Sequence, residues 1–228
     1  MEGITTAIVL FIFVCILFPR IVKHRTQFYT AFGLIIVMLL FHTLARMFGN
    51  ERFFNFVGVV NGLLQLAALV LVVLATGWSL PVRHRATRAA TYPVSAESLF
   101  AILGDVERFP TWRSTVERVD VLPPTDGRAR FRETGGGDAI LYEVVESVPG
   151  RRLVTRIADP TLPFGGTWTY ELAPANDAGT TLRITEDGEV YSPVYRFVSR
   201  FMMGHHRTID TFLRDLGRRL GTEPEIAA

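Results

Sequence analysis

Two adjacent histidines, His205 and His206, are the residues of this chain whose type best suits acid–base or ligand chemistry. An imidazole changes its charge near neutral pH, so it can transfer a proton or orient a polar ligand group. Neighbouring residues on a helix point about 100° apart, so this pair cannot chelate one metal ion as an i, i+4 pair can. Cys15 is the only cysteine and lies in an apolar stretch, which argues against a thiolate metal cluster. We therefore predict neither a metal site nor a cofactor.

The carboxylate that the sequence offers to these histidines is Glu186. It follows Leu182 and Ile184 at every second position, so it shares the inward face of a predicted strand. A buried carboxylate is costly unless it is paired, and a Glu186–His205 pair would be a candidate acid–base couple. The alternatives are that His205 is a core histidine or orients a ligand, and that a bulge or the strand end turns Glu186 to solvent.

The element that must position His205 is a long amphipathic helix predicted over residues 193–220. Burial of its wide apolar stripe, rather than helix propensity, must stabilise it, so it needs a large partner surface. The apolar face comprises Val194, Phe197, Val198, Phe201, Met202, Ile209, Phe212, Leu213, Leu216 and Leu220. The opposite face carries Arg196, Arg200, Arg207 and Arg214 and is predicted to be solvated.

An antiparallel sheet is the predicted partner of this helix. Strand patterns alternate with turn signals along the chain, and the later strands have one apolar and one polar face. Such a sheet needs a helix across its apolar face. Two short helical segments, 96–103 and about 105–110, follow the first strand. The predicted strands are 89–92, 115–122, 128–134, 139–148, 152–157, 167–172 and 181–190.

Residues 1–80 differ from the rest of the chain in being mostly apolar, with few charges. Because a spanning helix needs about 20 apolar residues, we predict an all-α membrane region of three transmembrane helices at about 4–22, 28–48 and 53–78. The first is short and has an interfacial segment as its alternative. A basic tether at 81–90 would connect this region to the following domain.

Charge patterning predicts where the protein resides. Basic residues follow the first and third apolar segments, which places the N-terminus outside and the C-terminal domain in the cytoplasm. We therefore expect an integral protein of a plasma membrane, the inner membrane in a bacterium. The 24 basic and 22 acidic residues give a formal net charge of +2, which is too small to predict nucleic-acid binding.

Five sequence segments resemble the START-like, Bet v 1-like (SRPBCC) superfamily, of the polyketide cyclase/dehydrase and lipid-transport type. They are Val94-Ser-Ala-Glu97, Asp105-Val-Glu-Arg-Phe-Pro-Thr-Trp112, Val148-Pro-Gly-Arg-Arg-Leu-Val154, Trp168-Thr-Tyr-Glu-Leu172 and Gly179-Thr-Thr-Leu-Arg-Ile-Thr185. The resemblance covers about residues 85–220 and leaves a tail at 221–228. It implies an α+β helix-grip fold, in which a seven-stranded antiparallel sheet wraps round the long C-terminal helix.

The resemblance also implies a ligand cavity between the sheet and the C-terminal helix. Its candidate lining residues are Trp112, Phe131, Tyr142, Phe164, Trp168, Tyr170, Ile184, Phe197, Phe201, Met202, His205 and Ile209. We expect a hydrophobic small molecule or lipid to bind there, for transport or presentation at the bilayer. The alternatives are a cyclase or dehydratase that uses His205 and Glu186, and a membrane-bound module that binds another protein.

Overall fold

The computed structural model describes Val37 and residues 51–175 and 179–227. Its helices are α1 (Glu51–Ser79), α2 (Ala96–Gly104), α3 (Pro193–Val198) and α4 (Arg207–Arg219), with a 3-10 helix at Val106–Thr111 and a π-helical turn at Ser199–Met203. Its strands are β1 (Arg83–Tyr92), β2 (Arg118–Thr125), β3 (Arg128–Gly135), β4 (Asp138–Val148), β5 (Arg152–Ile157), β6 (Phe164–Pro174), β7 (Thr180–Val190) and β8 (Ile226–Ala227).

The chain divides into two compact units. In the first, α1 packs on α3, and the Arg196 guanidinium donates a hydrogen bond of 2.9 Å to the carbonyl of Leu80. Arg196 is therefore buried, whereas the sequence pattern predicts it on a solvated face. The second unit contains the sheet, α2 and α4.

The sheet of the second unit is antiparallel throughout, with the strand order β2-β3-β4-β5-β6-β7-β1-β8. It thus has eight strands, one more than predicted. The additional strand, β8, lies in the segment predicted to be a tail. It has only two residues, too few to show an alternating pattern, but Ile226 packs against the core and pairs with Ala90 of β1.

The first strand begins at Arg83, within the segment predicted to be a basic tether. Arg83 and Arg85 point away from the core and form ion pairs of 2.9 and 2.6 Å with acidic residues of β7. His84 and Ala86, which alternate with them along the strand, point inward and are more buried. From Arg83 onward the segment is therefore a strand, with Arg83 and Arg85 on its outer face.

The predicted helix over 193–220 is interrupted at Gly204. Gly204 has a left-handed backbone (φ +74°), and its N–H bonds to the carbonyl of Ser199, five residues earlier, at 2.9 Å. Left-handed geometry is unfavourable for residues with a Cβ and cannot continue an α-helix. The helical segment across the sheet is therefore the shorter α4, and α3 belongs to the first unit.

Helix α1 covers the third predicted membrane segment, 53–78. Within the described part of the chain, no helix combines the length and the apolar character needed to cross a membrane. The predicted spanning helices at 4–22 and 28–48 lie outside the described residues, except for Val37. The prediction of three transmembrane helices is therefore not supported.

The core of the second unit lies between α2, α4 and the inner face of the sheet. Leucine and isoleucine side chains from β7 and α4 are fully buried there and pack together. Tyr92 of β1 is also fully buried, and its hydroxyl donates a hydrogen bond of 2.8 Å to the carbonyl of Leu213. This core fixes α4 across the sheet, and the position of α4 shapes the candidate site.

Candidate ligand cavity

A cavity of about 80 Å³ lies between α4 and the inner face of the sheet. The 3-10 helix closes one side, and strands β3 to β6 form the floor. It is lined by Leu103, Gly104, Val106, Phe109, Arg113, Phe131, Glu133, Tyr142, Val144, Leu153, Thr155, Trp168, Tyr170, Thr208 and Phe212. Drug-sized ligands occupy pockets of about 300–1,000 Å³, so side chains fill most of this space.

Phe212 of α4 is the centre of the aromatic lining. Its ring centroid lies 5.4 Å from that of Trp112, 6.2 Å from that of Trp168 and 5.6 Å from that of Tyr170. These are edge-to-face or tilted contacts, which aromatic rings favour over a face-to-face arrangement. Phe212 therefore covers the cavity from the helix side and restricts its volume.

A buried ion pair lies among these rings. An Arg113 guanidinium nitrogen is 2.5 Å from a carboxylate oxygen of Glu133, and each side chain is only 12% exposed. The guanidinium carbon also lies 4.8 Å from the ring centroid of Phe109 and 5.1 Å from that of Phe212. The cation is thus held between a carboxylate and two aromatic faces, which offsets part of the cost of its burial.

Burial also determines how the titratable groups of the cavity behave. It raises the pKa of the Glu133 carboxyl above its ordinary value, and the charge of Arg113 opposes this shift. Burial likewise raises the pKa of the Tyr142 and Tyr170 hydroxyls, so both are uncharged hydrogen-bonding groups. The cavity therefore combines apolar walls with one cation, one carboxyl group and the hydroxyl groups of two tyrosines and two threonines.

Helix α4 is anchored to the rest of the unit by polar contacts at two points. The buried Asp215 carboxylate accepts hydrogen bonds from the backbone N–H and the hydroxyl of Ser114, at 2.6 and 2.8 Å. Nearer the start of α4, Arg88 of β1 forms an ion pair of 3.2 Å with Asp210. Both contacts hold α4, and hence Phe212, over the cavity.

The predicted acid–base residues, His205 and Glu186, each lie next to a third residue, His84. The ring centroids of His84 and His205 are 4.0 Å apart, with an interplanar angle of 22°. Glu186 lies 3.7 Å from His84 Nε2, so its nearest histidine is not the predicted His205. None of the three lines the aromatic cavity.

The predicted lining residues are distributed over several places. Phe131, Tyr142, Trp168 and Tyr170 line the cavity, and Trp112 packs behind it against Phe212. Ile184 and Ile209 are fully buried in the core. Phe164 begins β6 opposite Val190, and Phe197 belongs to the first unit. Phe201 lies in the π-helical turn, and Met202, beside it, is 73% exposed. The helix break at Gly204 separates residues 197–202 from α4, which explains why they do not line the cavity.

Sequence reasoning missed Arg113, Glu133 and His84. A charged residue in an irregular segment or on a strand is expected at the surface, so Arg113 and Glu133 gave no local signal. For His84 a signal existed, because Arg83, His84, Arg85 and Ala86 alternate as a strand does. Phe212 was assigned to the apolar helix face but not to the cavity.

A larger, open groove of about 940 Å³ lies mainly on the other face of the sheet. Most of its charged residues are paired with one another, as in Arg83–Glu189, Arg85–Asp187 and Arg156–Glu143. Paired charges at an open surface neither enclose nor attract an apolar ligand. The smaller aromatic cavity is therefore the better candidate site.

An antiparallel sheet that closes over a C-terminal helix, with an aromatic cavity between them, defines an α+β domain of the helix-grip class. Residues 83–221 match the family described as polyketide cyclase / dehydrase and lipid transport. The chain belongs to this family. No curated protein matches it.

Solved structures similar to this chain include a START superfamily protein from Mycobacterium smegmatis, at 18% identity and a TM-score of 0.49, which covers 60% of this chain and 97% of its own. The Zhui aromatase/cyclase from Streptomyces sp. R1128 is 14% identical, with a TM-score of 0.49 and coverage of 61% and 92%. A protein from Rhizobium loti is 23% identical, with a TM-score of 0.44 and coverage of 59% and 97%.

Proposed function

We propose that the C-terminal domain binds a hydrophobic small molecule or lipid in the cavity between the sheet and α4. The observation that carries this proposal is an aromatic-lined cavity that contains one buried ion pair. A core without a ligand role would gain nothing from burying Arg113 and Glu133, since an apolar pair of similar volume is often at least as stable. Membership of a family that includes lipid-transport proteins supports the same function.

The polar groups favour a ligand that is apolar along most of its length and has an oxygen-rich end. Arg113 can donate hydrogen bonds to a carboxylate or carbonyl oxygen, and Tyr142 and Tyr170, whose hydroxyls can also form hydrogen bonds, line the same cavity. Because the cavity is small, Phe212 and the start of α4 must move when such a ligand binds. Transport or presentation is favoured over catalysis, because His205 and Glu186 do not line this cavity.

The test is to identify small molecules that co-purify with the full chain by mass spectrometry, and then to titrate the delipidated protein with a long-chain fatty acid. Binding should change the fluorescence of Trp168, which lines the cavity. The variant Val144→Phe fills the cavity and should abolish the response. Val148→Phe, the same exchange on the same strand at a residue that is 39% exposed, should preserve it. Equal responses from the two variants would count against this cavity as the binding site.

The proposal includes a membrane location, with the N-terminus outside and the domain in the cytoplasm. It is supported by the apolar sequences at 4–18 and 28–48, and by the large apolar side chains that α1 exposes, among them Leu63, Leu66 and Trp78. Extraction of cell membranes with alkaline carbonate should leave the full chain in the pellet, and external protease should not cleave the domain. Release into the supernatant would contradict this location.

A further inference from the structure

The stacked histidines His84 and His205 connect β1 to the segment that leads into α4. Glu186 of β7 lies beside the His84 ring, with a carboxylate oxygen 3.7 Å from His84 Nε2. Gly188 makes room for this arrangement, because a Cβ at that position would collide with the His84 ring. The side chains of His84 and Glu186 are 16% and 22% exposed, so the cluster is shielded but within reach of protons from solvent.

His205 lies at the point where the chain could bend. The left-handed Gly204 and the π-helical turn precede it, and α4 begins two residues later at Arg207. A Cβ at Gly204 would meet nothing within 4 Å, so the backbone there has free space around it. Thr208 and Phe212, in the first turns of α4, line the cavity. A displacement of His205 therefore moves the start of α4, which is the part of the cavity wall that has to open for a ligand.

The charges around His205 favour its neutral form. Burial is the largest cause that lowers its pKa, followed by the proximity of His84 and of Arg200 in the π-helical turn. His206 acts in the same direction, and the carboxylate of Glu186 opposes it. A charged pair between β1 and α4, Arg88 and Asp210, ties these two elements together independently of the histidines.

We propose that the His84–His205 stack is a proton-sensitive latch that holds the start of α4 over the cavity, and that acidification releases it to admit the hydrophobic ligand. A proton on His205 is disfavoured by burial and by the neighbouring His84 and Arg200. When that proton binds, the His205 segment swings away about Gly204 and carries Thr208 and Phe212 with it. The latch rests on the proposed binding function, since it regulates access to that cavity.

The direction of the pH effect follows from proton linkage. The stacked form binds a proton on His205 less readily than the released form, in which the imidazole has its ordinary pKa of about 6.5. As the pH falls through that value, the released form gains protons and its population rises. The rise is limited to about tenfold for each unit by which stacking lowers the pKa.

Two readouts on the full chain test the latch. The first is hydrogen exchange of the backbone amides of residues 205–212, corrected for intrinsic rates, at pH 7.5, 6.5 and 5.5. The second is the association rate of N-phenyl-1-naphthylamine, a neutral fluorescent probe that does not titrate in this range. Both should increase several-fold on acidification.

Matched variants separate the latch from a general loosening of the fold. His205→Phe keeps a stacking ring but cannot take a proton, so exchange should remain slow and association should become independent of pH. His206→Phe, the same exchange at the next residue, should retain the pH dependence. Exchange in the wild type that does not respond to pH, or a response that persists in His205→Phe, would overturn the latch. If exchange responds but the probe never binds, the cavity proposal fails, and only a proton-sensitive contact at the start of α4 remains.

Discussion

Arg113 and Glu133 lie in surroundings that normally exclude charge. Both side chains are 12% exposed, and the guanidinium is in contact with two phenylalanine rings. Removing charges from water costs on the order of several kcal/mol per ion, and the attraction between the two charges offsets this desolvation cost only where the geometry is good. Each group therefore depends on the other, and losing one partner leaves an uncompensated charge in the cavity.

We expect Arg113→Met to lower the free energy of unfolding by about 3–5 kcal/mol, because it strands the Glu133 carboxylate. The double variant Arg113→Met/Glu133→Leu should recover most of this loss, since it leaves no buried charge. Urea denaturation measures both. As a control, Arg118→Met removes an exposed pair with Asp120 and should leave the midpoint almost unchanged. Additive losses in the double variant would mean that the pair is not coupled.

The raised pKa of Glu133 makes a second prediction, in the pH dependence of stability. Its cause is burial, and its ordinary value is 4.5. Between that value and the raised one, the folded state holds the proton more tightly than the unfolded state, so this group stabilises the fold less as the pH rises. Glu133→Gln removes the titration, and its stability relative to wild type should improve as the pH rises above about 4.5, the ordinary pKa of this carboxyl group. A difference that stays constant with pH would contradict the assignment.

At the scale of elements, α4 owes its position to specific contacts rather than to its apolar stripe alone. Asp215 is 1% exposed and joins α4 to the segment before β2, and Tyr92 joins its middle to β1. Hydrogen bonds to a charged group contribute about 1.5–3 kcal/mol each. These contacts let the helix keep its register even though Gly204 separates it from α3.

Asp215→Asn should therefore lower the free energy of unfolding by about 2 kcal/mol, because an amide accepts weaker hydrogen bonds from Ser114 and loses the pairing with Arg218. Thermal and urea denaturation provide the measurement. Asp105→Asn is the same exchange at a carboxylate that is 45% exposed and pairs with Arg108, and it should have little effect. Comparable losses in the two variants would show that Asp215 is not an anchor.

The sequence predicted most strands well, because their faces alternate between apolar and polar residues. Predicted strand 152–157 coincides with β5, and β7 differs from its prediction by one residue. The helix at 193–220 was predicted as continuous because its apolar stripe keeps the helical period across Gly204. Periodicity reports which side chains face inward, but it does not report the backbone angle of one glycine.

The cavity was predictable only where it uses strand aromatics. Strand alternation and the resemblance to the family together predicted four of its lining residues, Phe131, Tyr142, Trp168 and Tyr170. Arg113 and Glu133 are 20 residues apart in the sequence and form their ion pair only in the folded chain. No local sequence pattern indicates that two charged residues will be buried as a pair. Such pairing depends on tertiary structure, so the sequence pattern alone does not show it.

For the molecule as a whole, stability and ligand binding make opposing demands on the same helix. A cavity of about 80 Å³ is nearly closed, and the aromatic contacts that close it also stabilise the fold. A ligand of ordinary size has to displace Phe212, so its observed affinity is reduced by the work of opening. A variant that opens the cavity permanently should lose stability and gain affinity.

Phe212→Ala is that variant, and it should lower the free energy of unfolding by about 3–5 kcal/mol. It should also strengthen the binding of N-phenyl-1-naphthylamine by about tenfold, equal to about 1.4 kcal/mol, because the space left by the ring joins the existing cavity. Leu216→Ala is the matched control: Leu216 is fully buried one turn later on α4 but does not line the cavity. It should lose a comparable 2–5 kcal/mol, as is roughly typical of buried leucines, without the gain in affinity. Tighter binding in both variants would mean that loosening α4 anywhere admits the probe, whereas tighter binding in Phe212→Ala alone locates the ligand beneath that ring.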